Sequence, residues 1–150
     1  MALHADRQTV FHCTFYKSST GYIPVGMIQI KRVYEKVEVK DGERILIDRM
    51  WPRGIRRSTS NIDIWMKNVA PSDELRRWFN HEPKKWMGFK KRYKKELKEN
   101  NALNKLINII LNADPVTLLY SARDVKHNNA VVLLEVVKAK IKKIDPSRLA

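Results

Sequence analysis

Apolar residues first settle into a period at Ile28, where Ile28, Ile30, Arg32 and Tyr34 share one alternation, the spacing of a β-strand. The domain is therefore expected to begin at Met27. Residues 1–26 show no sustained period of 2 or 3.6 and read as a disordered leader, dispensable for folding, added by an upstream start. Next, Asp41-Gly42 sits among Val37, Val39, Ile45 and Ile47, which is a hairpin signal. A second strand is expected over Arg44 to Met50. Its unbroken run Ile45-Leu46-Ile47 suits a buried central position, and Pro52 and Gly54 stop it.

The middle of the chain changes period. Ser60 with Asp63 resembles a capping pair, and Ile62, Trp65, Met66 and Val69 fall at i, i+3, i+4, i+7, which predicts a helix. Pro71 breaks it, and Ser72 can cap a second helix with Leu75, Trp78 and Phe79 on one face. From Lys84 to Lys98 the apolar stripe is Trp86, Phe89, Tyr93 and Leu97, with Lys84, Lys91, Lys94, Lys95 and Lys98 opposite. Leu103, Leu106, Ile107, Ile110 and Leu111 mark a further helix, and Asp114-Pro115 ends this half. Val116 to Ser121 is a third strand, rich in β-branched and aromatic residues. A last helix runs from Ala130 to about Lys143 on Leu133, Val136, Val137 and Ile141.

Strands separated by a helical insert predict an α/β fold: a small, mostly parallel sheet of three or four strands with about five helices. One domain is expected over residues 27–144, with a fraying tail at 145–150. The link from second to third strand is long enough for a parallel crossover. The first pair stays open. The hairpin signal makes it antiparallel, or adds a strand around Val37 to Val39.

A chain of 150 residues, 43% of them hydrophobic, can bury a core as one domain. No apolar stretch reaches the ~18 residues of a membrane span, and the N-terminus lacks a secretory pattern. The single cysteine, Cys13, excludes an intrachain disulfide. The expectation is a cytoplasmic protein with no membrane partner. The net charge of +14, from 30 Lys and Arg against 16 Asp and Glu, favours anionic partners.

In open α/β sheets, ligands gather beyond the carboxyl ends of the strands. Two segments hold that position. One contains Asp48, Arg49, Trp51 and Arg53. The other contains Tyr120, Arg123, Asp124, His127, Asn128 and Asn129. Arg49, Arg53 and Arg123 can clamp a phosphate or carboxylate, or else pair with Asp48 and Asp124 as structural ions. Asp48, Asp124 and His127 are the candidate acid–base groups. Asp124 could equally cap a helix, and His127 could cap or bond a carbonyl. Asn128 and Asn129 open the last helix, whose free N–H groups favour anions. Trp51 can stack on a ligand ring or wedge between strand and helices, and Tyr120 can anchor a ligand or pack at the core edge. Arg49, Arg53, Arg123, Asp124 and His127 are expected to line one pocket, with Asp48 beneath or beside it. Trp65, Trp78, Trp86, Phe89 and Tyr93 read as core, and His81 as a helix-end residue. No metal-ligand spacing, Walker loop, GxGxxG or GxSxG is found, so no cofactor or metal is expected.

Certain words recur in a recognisable order: Ile30-Lys31-Arg32-Val33-Tyr34, Asp48-Arg49-Met50-Trp51-Pro52-Arg53-Gly54, Ala70-Pro71-Ser72, Trp78-Phe79 with His81, Ala122-Arg123-Asp124 and His127-Asn128-Asn129-Ala130. In these, from about Met27 to Ile141, the chain resembles the YeaO-like proteins, a family of domains of unknown function (number 488). Ser121 departs from the small residue, often alanine, expected there. The resemblance implies a compact α/β domain and no established reaction. Two functions are carried forward. One is a cofactor-independent enzyme, a hydrolase or transferase, acting on a small anionic, nucleotide-like substrate through the two loops. The other is a non-enzymatic nucleic-acid-binding module whose basic helix makes weak, salt-dependent contacts.

Overall fold

Side-chain alternation along three short strands decides the architecture. In the computed structural model, which describes residues 15–18, 21–24, 28–113 and 115–145, Ile28–Arg32, Glu43–Leu46 and Val116–Tyr120 are strands β3, β4 and β6. On one face, Ile28, Val116, Leu118, Tyr120, Ile45 and Ile47 join the main core. On the other, Val33, Leu46 and Leu119 form a smaller one. With Ile64–Trp65 (β5) the sheet is fully parallel and has the order β3-β6-β4-β5. The α/β class and the small parallel sheet are as the pattern predicts.

The helices cover only the main-core face. They are α1 (Asp73–Phe79), α2 (Trp86–Lys98), α3 (Asn101–Asn112) and α4 (Asn129–Ile144). Caps set their starts. The Ser72 hydroxyl accepts from the Leu75 N–H at 3.1 Å, Asn100 accepts from Ala102 at 2.8 Å, and Asn128 accepts from Val131 at 3.1 Å. Glu96 on α2 fastens the first cap, taking the Ser72 N–H at 2.9 Å and its hydroxyl at 2.6 Å. The opposite face of the sheet is covered by loop: Trp51, Ile55, Ile62 and Trp65 pack on the smaller core. No described helix is long and apolar enough to cross a membrane.

Two local expectations are corrected. Asp41-Gly42 does not turn a hairpin, and no strand forms at Val37 to Val39. Residues 39–41 are a 3-10 turn, and β6 lies between β3 and β4. Gly42, at φ +60°, is required because a side chain there would strike the Pro115 carbonyl. The Asp41 carboxylate is buried beneath β3 and β4. It accepts from Lys31 Nζ at 3.0 Å, from the Glu38 N–H at 3.1 Å and from Arg44. Likewise, Ile62 to Val69 is not an α-helix; only its end, Lys67–Val69, makes a 3-10 turn. Ile64 and Trp65 pair with Ile45 and Leu46, and Asp63 accepts the Arg44 N–H at 2.8 Å instead of capping. Four apolar residues at helical spacing do not outweigh pairing with an open strand edge.

Within residues 1–26, Phe15–Ser18 (β1) and Gly21–Pro24 (β2) pair antiparallel in a sheet of their own. The expected starting point at Met27, the remainder of that leader, Asp114 and most of the expected tail (146–150) lie outside the described residues.

Candidate functional site

The carboxyl ends of β3, β6 and β4 open on one cavity of about 870 Å³. Its wall takes in Asp48, Arg49, Trp51 and Arg53 after β4, then Arg123, Asp124, Asn128 and Asn129 after β6. The two loops expected to share a pocket do so. Tyr120 and His127 do not line it. Tyr120 is buried within β6, and its hydroxyl, hydrogen-bonded to Asn128, is pushed up in pKa chiefly by that burial. His127 sets its ring edge-on against Trp86, with centroids 5.2 Å apart.

Asp48 works as a clasp. Its carboxylate accepts from the Ser121 N–H at 2.9 Å, the Ser121 hydroxyl at 2.6 Å and Asn129 Nδ2 at 3.0 Å. The end of β4, the end of β6 and the start of α4 are thus held together through one side chain. Ser121 supplies one of these bonds through its hydroxyl.

Asp124 is engaged at both oxygens. One oxygen accepts from the N–H groups of Lys126 and His127, at 2.9 and 3.0 Å, and the other lies 2.8 Å from His127 Nδ1. The Lys126 N–H, then the His127 ring, hold its carboxyl below the usual pKa. Asn128 is buried and gives Nδ2 to the Asp124 carbonyl at 2.9 Å.

The arginines divide. Arg49 is tied to the wall, donating to Pro71 O at 3.1 Å and Ala70 O at 3.4 Å. Arg53 and Arg123 are exposed, and neither guanidinium has a hydrogen-bond or ion-pair partner among the described residues. Trp51 faces the cavity, yet its ring also packs edge-on to Trp65 at 5.4 Å and donates Nε1 to Ile55 O at 2.6 Å. Arg57 lies over both indoles.

Four further lining residues escape a reading by loops alone: Arg32, Tyr34, Arg76 and His81. Arg32 and Tyr34 end the first strand's alternation, so the carboxyl-end rule applied to that strand would have found them. Arg32 donates to Ala122 O at 3.0 Å and lies 4.8 Å over the Tyr34 ring. Arg76 pairs with Asp73 at 2.9 Å, one turn along α1. Phe79, Phe89, Met50, Pro52 and Pro71 make the rest of the wall apolar. Among the described residues, no three His, Cys, Asp or Glu side chains gather as a metal site would require.

Comparison with known proteins adds kinship without chemistry. The uncharacterized protein YeaO of Escherichia coli (strain K12) is 41% identical over 112 residues, which is 75% of this chain and 97% of that protein. The uncharacterized protein Rv3073c of Mycobacterium tuberculosis (strain ATCC 25618 / H37Rv) is 38% identical over 113 residues, covering 75% and 95%. No solved structure matches. Residues 27–149 match the family model described as the inactive DUF488-N3 subclade. The chain belongs to the YeaO-like DUF488 family, in the branch so described.

Proposed function

We propose that the cavity binds, without turning over, a small anion that carries an apolar body, of which a nucleoside monophosphate is the model. The carrying observation is the pairing pattern. Among the described residues, Arg53 and Arg123 stand unpartnered at a cavity whose lining carboxylates, Asp48 and Asp124, each accept three internal hydrogen bonds and pair with neither arginine. Unpaired guanidinium groups favour phosphate or carboxylate oxygens. α4 begins at the same wall, and its N-terminal dipole favours the same charge. A volume of about 870 Å³ exceeds what a bare oxyanion fills, and the phenylalanine and proline wall suits a ring.

Binding is favoured over hydrolysis or transfer on chemical grounds. A general base needs a free lone pair within reach of substrate. Here Asp48 and Asp124 each have three of about four lone-pair sites occupied, by Ser121 and Asn129 and by Lys126 and His127. His127 is outside the lining, and the imidazole that does line it, His81, has no hydrogen-bond partner among the described residues to orient it as a base. The subclade's description as inactive agrees. The test is calorimetric titration with adenosine monophosphate and inorganic phosphate. The nucleotide should bind more tightly, and Arg53→Ala and Arg123→Ala should each weaken it about tenfold. Stability should stay within about 0.5 kcal/mol. Absence of binding, or conversion of the nucleotide to product, refutes the proposal.

A second reading, nucleic-acid contact, is supported by Lys91, Lys95 and Lys98. They are exposed along one face of α2 and without partners among the described residues, whereas Lys90 and Lys94 are bound to Glu135 at 3.0 and 2.9 Å. Such contact should lose affinity linearly in log salt and ignore sequence.

A further inference from the structure

Two consecutive non-glycine residues after α1 adopt left-handed backbone, Asn80 at φ +45° and His81 at φ +54°. That region is disfavoured for residues with a side chain, and it persists where the surrounding structure imposes it. Asn80 has a local reason. It closes α1, its N–H reaching Arg76 O at 3.0 Å, and asparagine is common at that position. His81 has none. Its ring makes no hydrogen bond or ion pair among the described residues, and its one ring contact is a tilted approach to Phe79 at 6.1 Å. The strained conformation nevertheless places this imidazole on the cavity wall, where His127 is missing.

We propose that His81 is a ligand-contacting residue of the cavity, hydrogen-bonding the bound anion from a backbone held in a costly conformation. This rests on the anion-binding reading. Glycine adopts φ +54° freely, so His81→Gly separates the two roles: it relieves the backbone and removes the ring. Inorganic phosphate, titrated into wild type, His81→Gly, Asn80→Gly and Arg123→Ala alongside thermal unfolding, is the test. For His81→Gly, Tm should rise by about 2–4 °C while phosphate Kd increases about tenfold. Asn80→Gly, which alters the neighbouring left-handed residue outside the lining, should leave Kd within about twofold. If Arg123→Ala weakens phosphate binding and His81→Gly does not, the assignment of His81 falls and the anion site stands. If wild type binds neither phosphate nor adenosine monophosphate, both fall; if it binds only the nucleotide, the same variants are read with the nucleotide. A loss of Tm together with affinity in His81→Gly marks a structural residue and also overturns the proposal.

Discussion

Two groups of basic side chains on one sheet are treated in opposite ways. Arg44, at the amino end of β4, and Lys31, the penultimate residue of β3, are buried against Asp41, and Gln29 and Thr117 complete the cluster. Gln29 Nε2 donates to Thr117 Oγ1 at 2.9 Å, and Thr117 Oγ1 donates to Asp41 O at 2.6 Å. Burial alone would push the Asp41 carboxyl up, but the Glu38 N–H and the Lys31 ammonium outweigh it and hold it low. At the carboxyl ends, Arg53 and Arg123 stand exposed and unpaired beside carboxylates engaged elsewhere. Arginine close to aspartate in sequence therefore says little about role. What separates the two groups is where the carboxylate's lone pairs go.

The sharpest way to break this contrast is Asp41→Ala. Among the described residues, it takes the only carboxylate from the buried Arg44 side chain, which keeps just the Asn61 carbonyl, and leaves Lys31 with Glu38 alone. A loss of about 3 kcal/mol is therefore expected in urea unfolding, with phosphate affinity little changed in whatever remains folded. A loss like that of an exposed arginine variant would erase the distinction. The clasp should fall between the extremes. Asp48→Ala leaves the Ser121 N–H without its acceptor and the Asn129 amide with only the Ile47 carbonyl, costing about 2 kcal/mol. It should also weaken nucleotide binding, since the cavity's two loops lose their tie. Stability lost with full binding retained would show that Asp48 is not what aligns them.

The smallest effect concerns acid. The Asp124 carboxyl sits below its ordinary pKa, so its contribution is present above the unfolded value, near 3.8, and disappears as pH falls through the lower folded value. The difference in urea midpoint between wild type and Asp124→Asn should therefore shrink from about pH 5 to about pH 2. A constant difference would mean that the Lys126 and His127 contacts carry no linkage.

Much of this was readable in advance, for identifiable reasons. Runs such as Ile45-Leu46-Ile47 and VTLLY must lie inside a sheet, and loops after parallel strands must meet at one end, so the shared cavity followed. Long helical stripes, Trp86-Phe89-Tyr93-Leu97 above all, also held. The misreadings share a different cause. In sequence, Asp41-Gly42 and Asp63 carry the local signatures of turn and cap residues. Both aspartates are instead spent on Arg44, a partner whose position depends on the assembled sheet. His127 and His81 exchanged places for a similar reason. Which imidazole reaches the cavity depends on the 5.2 Å packing of one ring on Trp86 and the backbone sign of the other.

The strand order carries a consequence for how the molecule comes into being. The strand at the heart of the sheet, β6, is the last of the six described strands to be synthesised, and it bonds to both β3 and β4. A ribosome that has released everything up to Asn112 has delivered β3, β4 and three helices, yet no two of the sheet's three main strands can pair in their final places. Until Tyr120 emerges, β3 and β4 offer bare edges across a gap one strand wide, and the Asp48 clasp has neither Ser121 nor Asn129 to close upon. The cavity is therefore among the last features of the protein to exist, completed by insertion rather than by growth from one end.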